Sequence, residues 1–231
     1  MTPNHNPSNR LLAAIPKAEF KTLSASMETL PLAFGEPIYE PGEAIRRIYF
    51  PESGIISLLS EVDKESTLEV GIVGSEGLTG VSVFLGVNAS PNRALVQGAG
   101  FARVLSPRAF LAACKSSEKL SQAVRRFIHS LLTQISQSAV CNRYHLIEAR
   151  LSRWLLMTHD RMRSDEFEIT QEFLSNMLGV RREAVNKAAG DLQRRGLISY
   201  KRGHLHVIDR VGLEAAACPC YKVINKEYAA A

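Results

Sequence analysis

Apolar residues change their spacing along this chain, and each change marks an element. From Leu11 to Met27 they recur at helical intervals (Leu11, Leu12, Ile15, then Phe20 and Leu23), interrupted by Pro16. From Leu30 to Leu105 the texture turns to short β-rich runs between Pro and Gly turns. These are Pro37 to Tyr39, Ile45 to Phe50, Gly54 to Ile56, Leu68 to Ile72, Ala94 to Val96 and Ala102 to Leu105. Many short strands at regular turn spacing predict a sandwich or barrel. Asp63 to Ser66 reads as a solvated hairpin tip. Helical spacing returns at Pro107, briefly to Cys114, then over a long segment from Glu118 to Tyr144 and another from His145 to Met162.

In the long segment Leu120, Val124, Phe127 and Leu131 step by 4, 3 and 4, the spacing of a coiled-coil seam. Ile128, Leu132, Ile135 and Ala139 widen the stripe, which grows polar at Ser136 to Ser138. Such a seam predicts either a core helix of one subunit or the contact between two. Dimerisation through Leu120, Val124, Phe127 and Leu131 is the expectation carried forward.

Between Ile169 and Gly196 two helical patterns meet at a tight turn. The first holds Phe173, Leu174, Met177 and Leu178 behind Thr170, a good N-cap. Gly179 breaks it, and a second helix from Arg181 carries Val185, Ala188, Ala189 and Leu192 on its apolar side. Ser175 and Gly179, small and four apart, are expected to let the two helices cross closely. The polar side shows Arg181, Arg182, Glu183, Asn186 and Lys187, residue types that suit base edges in the DNA major groove. LISYKRGHLHVID then predicts a two-stranded hairpin closed by Lys201, Arg202, Gly203 and His204. A helix-turn-helix followed by a basic hairpin is a winged helix.

Composition sharpens this. The chain has 231 residues, room for one large or two small domains, and a net charge of +5. From Arg181 to Arg202, seven Lys or Arg face two acids, an excess equal to that of the whole chain. No apolar run is long enough to span a bilayer, and the start, MTPNHNPSNR, lacks a signal-peptide core and reads as a structureless lead-in. Cys114, Cys141, Cys218 and Cys220 show no zinc-binding spacing, so no metal is expected. Nothing suggests export, and a reduced cytoplasmic protein is the simplest reading.

The order of strand-rich domain, long helix and winged helix resembles the Crp/Fnr family of bacterial transcription regulators over nearly the whole chain from Leu11. The roll segment IYEPGEAIRRIYFPESGIISLLS and the R-E-x-x-x-K of Arg182, Glu183 and Lys187 carry the resemblance. It implies an α+β chain of three parts. Residues 1–117 would form a cyclic-nucleotide-binding-like β-roll (a double-stranded β-helix, jelly-roll-like), 118–144 a dimerisation helix and hinge, and 145–231 a winged helix. It also implies a homodimer that reads a palindrome in double-stranded DNA and acts on RNA polymerase. Arg182, Glu183 and Lys187 would reach bases and Thr170 a phosphate, with Arg181, Asn186, Lys201 and Arg202 completing the DNA-binding set.

Relatives that bind cyclic AMP carry a Gly-Glu pair followed by Arg-Ser-Ala-x-Val. Here GLTGVSVFLGVNASPNRALVQ keeps the glycine as Gly80 but puts Val81 at the glutamate. Asn92 or Arg93 falls at the arginine, depending on a one-residue slip that would reverse the side chain's direction in a strand. Gly80, Val81, Asn92 and Arg93 are the candidate effector residues, and an effector other than cyclic AMP is expected. With no cysteine before Cys114, an N-terminal four-thiolate iron–sulfur cluster is excluded. Leu30 to Leu105 holds neither His nor Cys, which excludes a cupin-type metalloenzyme and argues against a haem ligand from within the roll. No catalytic constellation is present, so no enzyme and no cofactor are expected. The rival reading is a cyclic-nucleotide-type regulatory module without DNA function. The cysteines are expected to be inert, His204 and His206 to meet solvent or the DNA backbone. The tail YKVINKEYAAA carries no prediction.

Overall fold

The computed structural model describes residues 7–61 and 67–230. The tip expected at Asp63 to Ser66 lies outside the described residues, as does the start of the lead-in. The end of that lead-in is not structureless. Asn9 is fully buried, its amide donates to the carbonyls of Pro51 and Gly77, and its Oδ1 accepts from the amides of Leu11 and Leu12. It thereby caps α1 (Arg10–Ala13); after Pro16 comes α2 (Lys17–Ser24).

One compact unit comprises the residues up to 58 together with 72–131; the other comprises 59–71 together with 132–230. This division runs through the long helix. In the first unit β1 (Glu28–Leu32) and β2 (Pro37–Tyr39) both pair antiparallel with β5 (Arg93–Leu105). β3 (Ile48–Glu61) lies beside β5, and β4 (Thr67–Val73) beside β3, giving the order β1-β5-β3-β4. Ile45 to Phe50 and Gly54 to Ile56, expected as separate strands, belong largely to one 14-residue strand. Gly54 lets β3 continue because it adopts φ +82, and a Cβ there would lie 2.5 Å from the Gly98 carbonyl oxygen. A Cβ on Gly100 would likewise lie 2.4 Å from the Ser53 oxygen, so the two backbones touch where side chains are missing.

A single helical turn, α3 (Val81–Phe84), separates β4 from β5, and Ser106 caps α4 (Pro107–Ser116). The long helix α5 spans Glu118–Tyr144. Leu120, Val124 and Phe127 are fully buried within the single chain and Leu131 is 4% exposed. Within the single chain these four residues pack as core, the first of the two roles the seam allowed. Phe127 shows why, since its ring fills the space above Gly77, where a Cβ would lie 2.1 Å from Cε2. The neighbouring stripe remains uncovered. Leu132 is 59% exposed, Ala139 is exposed, and Ile128 and Ile135 are half-buried.

In the second unit α6 (Ile147–Met162) is followed by β6 (Glu166–Glu168), α7 (Gln171–Leu178), α8 (Arg182–Arg194), β7 (Ile198–Lys201) and β8 (His204–Val207). The strands form a sheet in the order β6-β8-β7. Leu151, Leu155, Leu174, Val185, Leu192 and Leu213 close the core. The close approach expected at Gly179 has a different partner: a Cβ there would lie 2.8 Å from Cδ1 of Leu68. Glu69, next to Leu68, accepts from the Trp154 indole at 2.8 Å. After α9 (Arg210–Ala216), the tail that carried no prediction is α10 (Cys220–Ala230). Its buried Tyr221, Ile224 and Tyr228 step by 3 and 4, a helical signal too short to stand out. Among the described residues no helix is long and apolar enough to cross a membrane.

Gly77→Ala should destabilise the first unit by about 1–3 kcal/mol through overpacking. Adding Phe127→Leu should recover part of that loss, with a coupling of at least about 0.5 kcal/mol in urea denaturation of the two single variants and the double variant. Strictly additive costs would show that the ring does not occupy the glycine's space.

Candidate nucleic-acid interface

The turn between α7 and α8 is set by Gly179 at φ +60. Val180 N–H donates to the Ser175 carbonyl and Gly179 N–H to that of Asn176, the paired closure of a Schellman end. Thr170 Oγ1 accepts from Phe173 N–H as the N-cap of α7, leaving its own proton free to donate outward. α8 then divides cleanly. Val185, Ala188, Ala189 and Leu192 are buried, whereas Arg182, Glu183, Asn186 and Lys187, with Arg181 just before the helix, are all exposed.

Gln171 was missed in the sequence. Its Nε2 donates to Asn186 Oδ1 at 3.2 Å, and its Oε1 accepts from Arg182 Nε at 3.4 Å. It bridges two residues of α8 from the first position of α7, a juxtaposition no sequence spacing reveals. Thr170, Gln171, Arg182, Tyr200, Arg202 and Gly203 line one shallow cleft of about 360 Å³. The structure thus gathers three of the predicted DNA-binding residues and adds Gln171 and Tyr200. Tyr200 donates to the Ile169 carbonyl at 2.7 Å, and burial raises its phenol to about 12 despite the opposing pull of Arg182.

The hairpin turns at Arg202 and Gly203, φ +52 and +84, the two-residue type I′ geometry. Lys201 pairs with His204 across it, and both Lys201 and Arg202 are exposed. Two of the seven cations counted above are engaged elsewhere: Arg194 pairs with Asp191 and Arg195 with Glu148. His204 and His206 are exposed on β8, opposite Glu168 and Glu166.

In the roll, Gly80 adopts φ +86 directly before α3, so Val81 opens a helical turn. Arg93 is the first residue of β5 and pairs with Glu40 at 3.1 Å, so its charge already has a partner. Asn92 N–H donates to Ser90 Oγ at 3.1 Å. Tyr39, beside Glu40, bonds to the Gly80 backbone and the Ser90 side chain, and burial pushes its phenol to about 12. The Tyr39–Glu40 pair therefore ties both ends of the candidate effector segment together. A separate cleft of about 590 Å³ is lined by Tyr39, Glu43, Arg46, Arg47 and Tyr49 among others.

Residues 149–216 match the Crp-like helix-turn-helix domain. The chain carries a Crp-like helix-turn-helix domain, and its fold is that of solved Crp/Fnr-family regulators. A Eubacterium rectale protein described as a Crp/Fnr-family transcriptional regulator is 16% identical, with a TM-score of 0.70 over 90% of this chain and 98% of that one. A CRP-family transcriptional regulator from Thermus thermophilus is 22% identical, with a TM-score of 0.67 over 81% and 96%. CLP of Xanthomonas campestris, a cyclic di-GMP-responsive global regulator, is 15% identical, with a TM-score of 0.68 over 83% and 99%. At these identities the likeness is one of fold. No curated protein matches the chain.

Among the cysteines of this chain, burial pushes Cys114 up to about 12, with Arg125 opposing, in keeping with an inert thiol. Cys141 and Cys218 differ. Their mutual hydrogen bond is the main cause that raises Cys141 and lowers Cys218.

Tyr39, Tyr200 and Tyr221 are each raised from 10 to about 12, by burial first in every case. The folded state therefore holds these protons where the unfolded chain releases them. Their contribution to stability is full below pH 10 and is lost as pH rises from 10 to 12. Phenolate absorbance should show the three ionising last, and Tyr39→Phe should lessen the loss of stability over that window.

Proposed function

We propose that this chain is a homodimeric, sequence-specific transcription regulator that reads a palindrome in double-stranded DNA, with the roll as its sensor. The exposed face of α8 carries the reading. Arg182, Glu183, Asn186 and Lys187 project together from the second helix of a Crp-like helix-turn-helix, beside Thr170 and the wing's Arg202. Arg182 addresses a guanine and Glu183 a neighbouring cytosine amino group, while Lys201, Arg202, Arg181 and Thr170 serve phosphates. Arg202 stands at φ +52, where Asn or Gly would be at ease. A strained arginine at the tip of an exposed turn fits a site kept for contact with DNA rather than for stability.

The homodimer is proposed through the open stripe of α5, Ile128, Leu132, Ile135 and Ala139, in place of the buried seam. Two copies paired there would present two α8 helices to successive turns of the major groove. The roll would bias α5 and the junction after Tyr144 between two settings, which requires an effector that binds one setting better. An effector other than cyclic AMP is supported by Val81 at the glutamate position and by the occupation of Arg93 with Glu40. RNA polymerase follows as partner and the cytoplasm as compartment from the DNA-reading role. An exposed basic helix face has no use in a ligand-binding module without DNA function, which disfavours the rival reading.

Selection from random DNA should return a two-fold symmetric motif with a G·C pair in each half-site that tolerates no substitution. Arg182→Ala should cost about 1–3 kcal/mol per half-site and relax preference at that pair. Lys201→Ala should weaken all sequences alike and flatten the salt dependence by about one unit of slope. Base preferences unchanged by Arg182→Ala would show that another face of α8 enters the groove.

Leu132→Asp should weaken dimerisation by about 3 kcal/mol or more, as an unpaired buried charge does, without unfolding either unit. Sedimentation at micromolar concentration, with circular dichroism as the folding control, checks this; a variant as dimeric as the wild type would put the interface elsewhere.

A further inference from the structure

Cysteines that look scattered along the sequence converge in the second unit. Cys141 lies in the last turn of α5 and His145 one turn on, its N–H donating to the Cys141 carbonyl at 3.1 Å. Cys218 and Cys220 flank Pro219, the first in the link after α9 and the second opening α10. One ligand atom from each of these four residues lies within 4.8 Å of all the others. Cys141 Sγ is 3.3 Å from Cys218 Sγ, and Cys220 Sγ is 3.6 Å from His145 Nδ1. The three thiols are buried and free of disulfides.

A tetrahedral zinc ion at its usual bond lengths holds two sulfurs about 3.8 Å apart and a sulfur and a nitrogen about 3.5 Å apart. The two measured spacings agree with those edges to within about half an ångström. An iron–sulfur cluster spreads its thiolates over several irons, so a set this compact suits one ion.

The charges around the cluster point the same way. Arg150 and Arg153 are 7% and 6% exposed, and among the described residues neither meets a carboxylate. The Nε of each has no hydrogen-bond partner. Arg150 donates to the Leu178 carbonyl, and Arg153 to the Met157 sulfur at 3.4 Å. Both guanidinium groups interact electrostatically with the thiols and repel each other. Two buried cations beside neutral thiols would be costly. Three thiolates around one divalent ion carry a net single negative charge, the missing counter-ion.

We propose that Cys141, His145, Cys218 and Cys220 bind one zinc(II) ion in a closed Cys3His site, with Arg150 and Arg153 as its buried counter-charges. All four positions are filled by protein, so the ion is structural rather than catalytic. It joins the end of α5, where the chain turns into α6, to the start of α10. The Cys-x-Cys pair, too tight for a zinc knuckle by itself, is completed by the Cys-x3-His pair from a helix far away in sequence.

The full chain, produced in zinc-containing medium and kept reduced, should carry about one zinc ion per chain by mass spectrometry of metals. Cobalt(II) put in its place should show thiolate-to-cobalt charge transfer and the intense visible bands of a tetrahedral site. Cys218→Ser and His145→Ala should lose the stoichiometric metal. His145→Cys, which restores a four-ligand set, and Cys114→Ser, outside the cluster, should keep it. A chain that neither holds zinc nor takes up cobalt when folded would overturn the proposal. So would a Cys141–Cys218 disulfide in freshly isolated protein, or metal loss in Cys114→Ser equal to that in Cys218→Ser.

Discussion

The burial of one side of α5 is the constraint on which the rest depends. Leu120, Val124, Phe127 and Leu131 spend their apolar surface inside their own chain. Each such side chain contributes about 1.5–3 kcal/mol by leaving water. Gly77 is what allows it, because any side chain there would meet the Phe127 ring. Farther along the helix, in the second unit, Leu132 and Ala139 are exposed and Cys141 is buried beside Cys218. One helix thereby supplies core to the first unit, an open apolar stripe, and ligands at its far end.

The proposed DNA-reading face follows a similar division of labour. Val185, Ala188, Ala189 and Leu192 hold α8 in place by burial, which frees the other side for polar groups that make no contribution to the core. Gln171 restrains two of those groups by hydrogen bonds, so Arg182 and Asn186 are partly ordered before any partner arrives. Restraint of long side chains in advance lowers the entropy lost on binding. Tyr200, bonded to the Ile169 carbonyl, anchors the wing beside them.

Charge organises the region behind this face. Among the described residues, buried Arg150 and Arg153 have no carboxylate to pair with, and the thiols of Cys141 and Cys218 act on Arg150 electrostatically. The second unit thus sets exposed cations on its surface and cations that need an internal anion beneath it. The first kind is solvated and weakly coupled; the second is desolvated, where the same charge matters far more.

Periodicity determined much of this protein. The helix-turn-helix, the wing with its two-residue turn, the long helix from Glu118 to Tyr144 and the strand-rich region were legible because each depends on local spacing and turn chemistry. So were Thr170, Arg181, Arg182, Glu183, Asn186, Lys187, Lys201 and Arg202 as exposed residues, since an amphipathic pattern states which side faces water. Only the tertiary structure decided what each buried side meets. It buried the seam of α5 within its own chain, and set the side chain of Leu68 against Gly179. It joined Gly54 to one long strand, paired Arg93 with Glu40, and folded the silent tail into α10. It brought Cys141 to Cys218 across 77 residues of chain. A sequence pattern reports that a face is apolar or that a residue can ligate; which partner arrives there depends on contacts between residues far apart, and no local spacing encodes them.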